Sequence, residues 1–131
     1  MINLLSNLKI AVPDKIYIKD PESSQLGKRI IEHSILLIDE LGFDNFTFKK
    51  LGSKIGSNES SIYRYFESKH KLLLYLTSWY WAWTEYHMVF GTFNISDAKV
   101  QLEKAIAIIS RNVELDNTFS HIDEVALNRI I

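Results

Sequence analysis

Residues 47–66 read TFKKLGSKIGSNESSIYRYF, and this stretch predicts two short helices joined by a tight turn. Thr47 is typical of the residue that caps the start of a helix. Gly56 suits the left-handed position that ends it. Asn58 can cap a second helix immediately afterwards. The segment therefore predicts a helix-turn-helix.

A glycine inside the first of these helices has a packing explanation. The two helices of a helix-turn-helix cross at about 90–120°, which requires their backbones to approach closely. Gly52 supplies a small residue at the expected crossing, four residues before Gly56, and Ile62 supplies an apolar side chain that points back at it. Without such a reason Gly52 would only weaken its helix, by about 1 kcal/mol relative to alanine.

Helical periodicity extends on both sides of this segment. Asp20 and Pro21 predict the cap and first residue of a helix that ends at Gly42, taken as a left-handed residue. The remaining helices are predicted over residues 48–55, 59–66, 69 to about 90 (ended by Gly91), 97 to about 112 (capped by Ser96), and from 121 onward (capped by Ser120). The fold class is all-α, with a three-helix bundle that contains the helix-turn-helix and is joined by the long fourth helix to a further, partial set of helices. The expected division is an arm over 1–20, a helix-turn-helix domain over 21–68, and a helical region over 69–131.

Composition restricts the classes of function. The chain has 131 residues, no cysteine and a formal net charge of −1, which excludes disulfides and thiolate metal sites. Its longest apolar run, 72–83, is too short for the roughly 20 residues that span a bilayer, and no convincing signal peptide is present. We therefore expect a soluble protein of the cytoplasm. The four histidines are dispersed and no phosphate-binding glycine loop occurs, so neither an enzyme, a metal site nor a cofactor is predicted.

Positive charge is concentrated around the helix-turn-helix. Residues 47–71 contain six basic and two acidic side chains, whereas residues 72–131 contain four basic and seven acidic ones. Neutralising the phosphates of DNA requires such a local excess. Taken without the turn geometry, a solvated lysine-rich face explains the same charges.

Residues 26–76 resemble the DNA-binding region of tetracycline-repressor (TetR) type transcriptional regulators. The most specific match is SIYRYF at 61–66, followed by Ser68-Lys69 and Leu72-Leu73, with Leu-Gly-Phe at 41–43 and Thr47 also fitting. Two residues depart from the family pattern. Gly52 replaces the usual alanine, and Glu59 stands where lysine, arginine or glutamine is common.

The resemblance implies a role for each matching position. The residues that would face the bases of the major groove are Ser60, Ser61, Arg64 and Tyr65. Arg64 is the candidate for a bidentate guanine contact. The residues that would contact DNA phosphates are Thr47, Tyr63 and Lys69, with Lys49 and Lys50 as neighbours of the backbone. Ile62 and Phe66 would be core. An alternative for Tyr63 and Tyr65 is that they only pack between helices.

Aromatic side chains crowd the fourth helix. They are either a bulky core or the lining of a small-molecule site, for which the candidate residues are Trp79, Trp83, Tyr86, His87 and Phe90. The resemblance implies that residues 21–68 are a DNA-binding bundle and that residues 69–131 are a regulatory domain for ligand binding and dimerisation, expected to be incomplete. It also implies that these later helices bind an effector and form a homodimer on a double-stranded DNA operator. The sequence thus favours a DNA-binding regulator, most simply a repressor released by its effector. The alternative is a helical protein-interaction module that keeps the fold without binding DNA.

Overall fold

A computed structural model describes residues 10–110 and 119–131, and all the regular structure in these ranges is helical. Residues 1–9 of the predicted arm and the predicted helix end at Asn112 lie outside the described ranges. The α-helices are α1 (Gln25–Leu41), α2 (Phe48–Ile55), α3 (Glu59–Tyr63), α4 (Lys69–Thr92), α5 (Ala98–Ser110) and α6 (Glu124–Ile130). The all-α prediction is confirmed. None of the helices described is long and apolar enough to cross a membrane.

The first helix begins later than predicted. Asp20 caps a single 3-10 turn over Pro21–Ser23, accepting a hydrogen bond from the Glu22 amide at 2.9 Å. Ser24 then has an extended backbone, and its hydroxyl accepts from the Gly27 amide at 2.9 Å to start α1. The turn folds back onto α1 so closely that a Cβ on Gly27 would clash with the Pro21 carbonyl oxygen. The predicted single helix start at Asp20 is therefore replaced by two caps, Asp20 for the 3-10 turn and Ser24 for α1.

The end of α1 needs a glycine, although not in the predicted conformation. Gly42 has φ 81° and ψ 155°, a positive φ whose ψ lies outside the left-handed helical region. Its amide donates to the Ile38 carbonyl at 2.8 Å, closing the last turn. The chain then turns sharply toward α2.

A single core joins α1, α2, α3 and the first half of α4. Its fully buried apolar side chains are Ile30, Ile31, Ile35, Phe46, Leu51, Ile62, Phe66 and Leu72. Residues from the segment before α1 pack against it, including Ile10, Val12, Ile16 and Tyr17. The described part of the predicted arm is therefore irregular in structure but lies on the core.

Three boundaries beyond the helix-turn-helix differ from their predictions. Gly91 does not end α4 but lies inside it, where α5 crosses: a Cβ there would lie 2.5 Å from Cδ1 of Ile108. The cap of α5 is Asp97, whose carboxylate accepts from the Lys99 amide at 2.9 Å, rather than Ser96. The cap of α6 is Asp123, which accepts from the Ala126 amide at 2.9 Å, so this helix starts after the predicted 121.

The last helix packs against α1 and α4 and is fixed by polar contacts. The Arg129 guanidinium forms a forked hydrogen bond with the Asp39 carboxylate, at 3.0 and 2.8 Å. The Asn128 side-chain amide donates to the Tyr80 hydroxyl at 2.8 Å. Just before the helix, Nε2 of His121 lies 2.6 Å from Oε1 of Glu22. The C-terminal segment is thereby joined directly to the helix that supports the helix-turn-helix.

Candidate nucleic-acid interface

The turn between α2 and α3 has the predicted geometry. Thr47 caps α2, its hydroxyl accepting from the Lys50 amide at 3.1 Å. Gly56 is left-handed, with φ 70° and ψ 34°, and its amide donates to the Gly52 carbonyl. The Asn58 side chain accepts from the Ser61 amide at 2.9 Å and caps α3. These three local signals place α3 across α2 as a helix-turn-helix requires.

Gly52 lies at the crossing of the two helices, as the spacing predicts. A Cβ built on it would lie 2.6 Å from the carbonyl oxygen of Ser57 and 3.5 Å from the Asn58 carbonyl carbon. Both neighbours are backbone atoms, which cannot move aside as a flexible side chain can. The position thus needs a glycine here, not merely a small residue.

The inner face of α3 is anchored in the core. Ile62 and Phe66 are completely buried, and the ring of Phe66 packs edge-on against Tyr75 of α4 at 5.5 Å between centroids. The helical assignment ends at Tyr63 rather than at the predicted Phe66. The amides of Tyr65 and Phe66 nevertheless both donate to the Ile62 carbonyl, so the chain continues the turn.

Three of the four predicted base-contacting residues are accessible on the outer side of α3. Ser60 and Arg64 are exposed and Ser61 is half-buried. Both serine hydroxyls donate to Oδ1 of Asn58 at 2.8 Å. Arg64 caps the C-terminal end of the helix. The two ends of α3 therefore carry different hydrogen-bonding groups.

The fourth, Tyr65, lies elsewhere, and its predicted position in the major groove is corrected. Its side chain is only 3% exposed, and its hydroxyl lies 2.6 Å from the Ser24 hydroxyl at the start of α1. The Ile18 amide donates to its carbonyl at 2.8 Å, and the Lys19 ammonium lies 5.2 Å from its ring centroid. Tyr65 ties α3 to the segment before α1, in line with the packing alternative for this residue.

Among the predicted phosphate contacts, Thr47, Lys49, Lys50 and Tyr63 are exposed. The ring of Tyr63 packs edge-on against Phe48 at 4.9 Å and remains 47% exposed, so its hydroxyl is available at the surface. The Lys50 ammonium donates to the Asn45 carbonyl at 2.8 Å.

Lys69 is engaged within the protein, in contacts that its predicted role did not include. Its ammonium donates to the carbonyls of Phe43 at 2.9 Å, Asp44 at 3.4 Å and Phe46 at 3.0 Å, and it lies 4.6 Å from the centroid of the Phe43 ring. An ammonium has three donor hydrogens, and these carbonyls occupy them. Lys69 thus fastens α4 to the α1–α2 connection, and a phosphate would have to compete with that role.

Two basic residues at this end of the molecule were not singled out from the sequence. The Arg29 guanidinium donates to the Ile55 carbonyl and so holds the C-terminal end of α2. Lys19 is exposed beside Tyr65. Both precede the basic segment 47–71, and only the fold brings them to α2 and α3.

The five candidate effector residues lie in different surroundings: two are in the core, two line a surface cleft, and His87 is in neither pair. Trp79 and Trp83, 2% and 4% exposed, stack at 6.2 Å between centroids and belong to the core. His87 lies edge-on to Trp83 at 4.6 Å and is not part of the cleft described next. Tyr86 and Phe90 line a cleft of about 380 Å³, whose lining among the described residues is Ile10, Ala11, Ala82, Glu85, Tyr86, Val89 and Phe90.

The geometry described above defines a helix-turn-helix protein whose second helix is exposed on a fully packed support. Residues 30–76 match a protein-family model, that of bacterial regulatory proteins of the tetR family. The matched segment, from α1 to the first half of α4, is therefore a TetR-type DNA-binding domain, and the chain is a DNA-binding transcription regulator. Comparisons with curated proteins and with solved structures gave no match.

Proposed function

We propose that this regulator is a repressor that binds a double-stranded operator as a homodimer in the cytoplasm and leaves it when a small molecule binds. The observation that carries the DNA-reading part is the exposure of Arg64 and Ser60 on α3 while Ile62, on its opposite face, is completely buried. A guanidinium so presented can donate two hydrogen bonds to O6 and N7 of guanine. The proposed phosphate contacts are made by the exposed residues Thr47, Lys49, Lys50 and Tyr63.

Operator binding is tested by measuring affinity for genomic fragments at several salt concentrations. The logarithm of the affinity falls linearly with the logarithm of salt concentration when phosphates are neutralised. Arg64→Ala is expected to relax sequence preference, whereas Lys49→Ala weakens all sites alike and reduces the salt slope by about one. An affinity that does not depend on salt concentration, or no binding to any fragment, would contradict the proposal. Either result would favour the alternative of a helical protein-interaction module.

The homodimer is proposed because two half-sites one helical turn apart require two reading helices about 34–36 Å apart. A surface suited to a second subunit is α5, whose exposed apolar side chains are Val100, Leu102, Ile106 and Ile109. Sedimentation of the wild type should give twice the mass of the 15.2 kDa chain. Ile106→Glu should shift the mass toward one chain, while Lys104→Glu, an exposed residue of the same helix, should leave it unchanged.

An effector site is proposed in the cleft lined by Tyr86 and Phe90. Its volume falls in the range of small-molecule sites, about 300–1,000 Å³. Its lining is mostly apolar, and Glu85 is the charged residue among the described lining. This favours a neutral or cationic ligand with an apolar body.

The effector is tested with two dyes of opposite charge. We expect a cationic aromatic dye such as rhodamine 6G to bind and to weaken operator binding, and an anionic naphthalene sulfonate to bind more weakly. Glu85→Gln should reduce the difference between the two dyes. Equal binding of both dyes before and after this substitution would locate the effector elsewhere.

A further inference from the structure

The first turn of α3 carries an acidic side chain on the surface assigned to DNA. Glu59 is the first residue of α3 and is exposed, as is its neighbour Ser60. A carboxylate on this surface repels phosphates, so it weakens rather than strengthens non-specific binding. A favourable contact of the Glu59 carboxylate with DNA must therefore be with the edge of a base.

Asn58 determines what the neighbouring serines can offer. The hydroxyls of Ser60 and Ser61 both donate to Oδ1 of Asn58 at 2.8 Å. Each hydroxyl has one hydrogen, and with that hydrogen used its oxygen presents only lone pairs. The side chains of Glu59, Ser60 and Ser61 therefore present acceptors, while Arg64 at the other end of α3 has only donors.

The major groove distinguishes such surfaces. Guanine presents two acceptors there and thymine one, adenine pairs a donor with an acceptor, and cytosine presents only the donor of its N4 amino group. A carboxylate, which can only accept, is repelled by guanine, thymine and the N7 of adenine. Cytosine is the base that it matches.

We propose that Glu59 is a specificity-determining residue that accepts a hydrogen bond from the N4 amino group of a cytosine in each operator half-site. The serine oxygens beside it reinforce the same preference for an amino group. Arg64 selects a guanine at the other end of α3, so both ends of the helix read G·C pairs. This proposal rests on the proposed operator binding.

A purely local role for Glu59 makes a different prediction. A carboxylate in the first turn also interacts favourably with the positive end of a helix. In that case its replacement would change stability and general DNA affinity without changing which base is preferred.

The test is selection of bound duplexes from a random library by the full chain, using the wild type, Glu59→Gln and Glu67→Gln. Glu67 is exposed just beyond α3, so Glu67→Gln removes the same charge near the same surface without altering the acceptor at the start of the helix. A glutamine amide pairs with adenine through N6 and N7. We expect a cytosine position in the wild-type motif that becomes adenine or unspecific in Glu59→Gln only.

Affinities for the selected duplex and for one with thymine in place of that cytosine complete the test. The replacement should cost the wild type and Glu67→Gln about ten-fold or more in affinity, and Glu59→Gln much less. A wild-type motif that is unchanged in Glu59→Gln would overturn the role of Glu59 and leave operator binding intact. No selected motif from the wild type would overturn both.

Discussion

The apolar side chains of the helix-turn-helix are buried, whereas those of α5 are largely exposed. Ile62 and Phe66, at the end of the helix-turn-helix, are 0% exposed, whereas Ile106 and Ile109 of α5 are 54% and 52% exposed. No side chain of α5 is classed as buried. The helix-turn-helix thus stands on a completely packed support, whereas Val100, Leu102, Ile106 and Ile109 of α5 remain exposed among the described residues. Substitutions of the same residue type in the two regions should therefore have unequal effects.

The largest difference is expected between Phe66→Ala and Phe93→Ala. Phe66 is completely buried against Tyr75, and truncating such a side chain costs about 3–5 kcal/mol. Phe93 follows α4 and is 63% exposed, so its truncation should change the free energy of unfolding by less than about 0.5 kcal/mol. Urea unfolding of both variants measures this. Similar losses at the two positions would mean that Phe93 is covered in solution, for example in a dimer.

A smaller difference is expected between Gly52→Ala and Gly91→Ala. In the first, the new methyl group meets the Ser57 backbone, and we expect a loss of about 1–3 kcal/mol. In the second, it meets the flexible end of Ile108, and the gain of about 1 kcal/mol from helix propensity offsets the adjustment. Gly91→Ala should therefore be neutral or stabilising. Thermal unfolding compares the two, and a stable Gly52→Ala protein would show that α3 can move away from α2.

The smallest effect is expected at the contact between α6 and α1. The hydrogen bond from Arg129 lowers the pKa of the Asp39 carboxyl below its ordinary value of about 4. A lowered pKa means that the stabilisation is complete at neutral pH and is lost as the pH falls through the folded-state value. Because both partners are at the surface, Asp39→Asn should lower the melting temperature only slightly at pH 7. The difference from the wild type should vanish at the acid end of the titration, and one that persists there would contradict this assignment.

The local features of the helix-turn-helix could be predicted because each depends on residues within a few positions of one another. Thr47 and Asn58 cap helices through amides three residues away, and Gly56 ends a helix through its own φ. The segment SIYRYF also gave the family resemblance that the match over residues 30–76 confirms. The same resemblance implied that Arg64 faces outward, and Arg64 is exposed.

Other residues could not be placed because their partners are distant in sequence. The hydroxyl of Tyr65 contacts that of Ser24, which lies 41 positions earlier in the sequence and is brought to it only by the fold. Lys69 is engaged because the α1–α2 connection presents three carbonyls to it. Trp83 and Tyr86 are three residues apart on α4 and were predicted for the same site, yet one is core and the other lines the cleft.

By itself, the sequence determined the all-helical class and the caps and glycine of the turn, because short-range hydrogen bonds and backbone conformation specify them. The candidates for reading DNA came from the family resemblance. Only the tertiary structure decided which of those residues remain at the surface. Whether a side chain such as Lys69 or Tyr65 meets DNA or the protein depends on carbonyls and hydroxyls that the fold brings to it from distant segments.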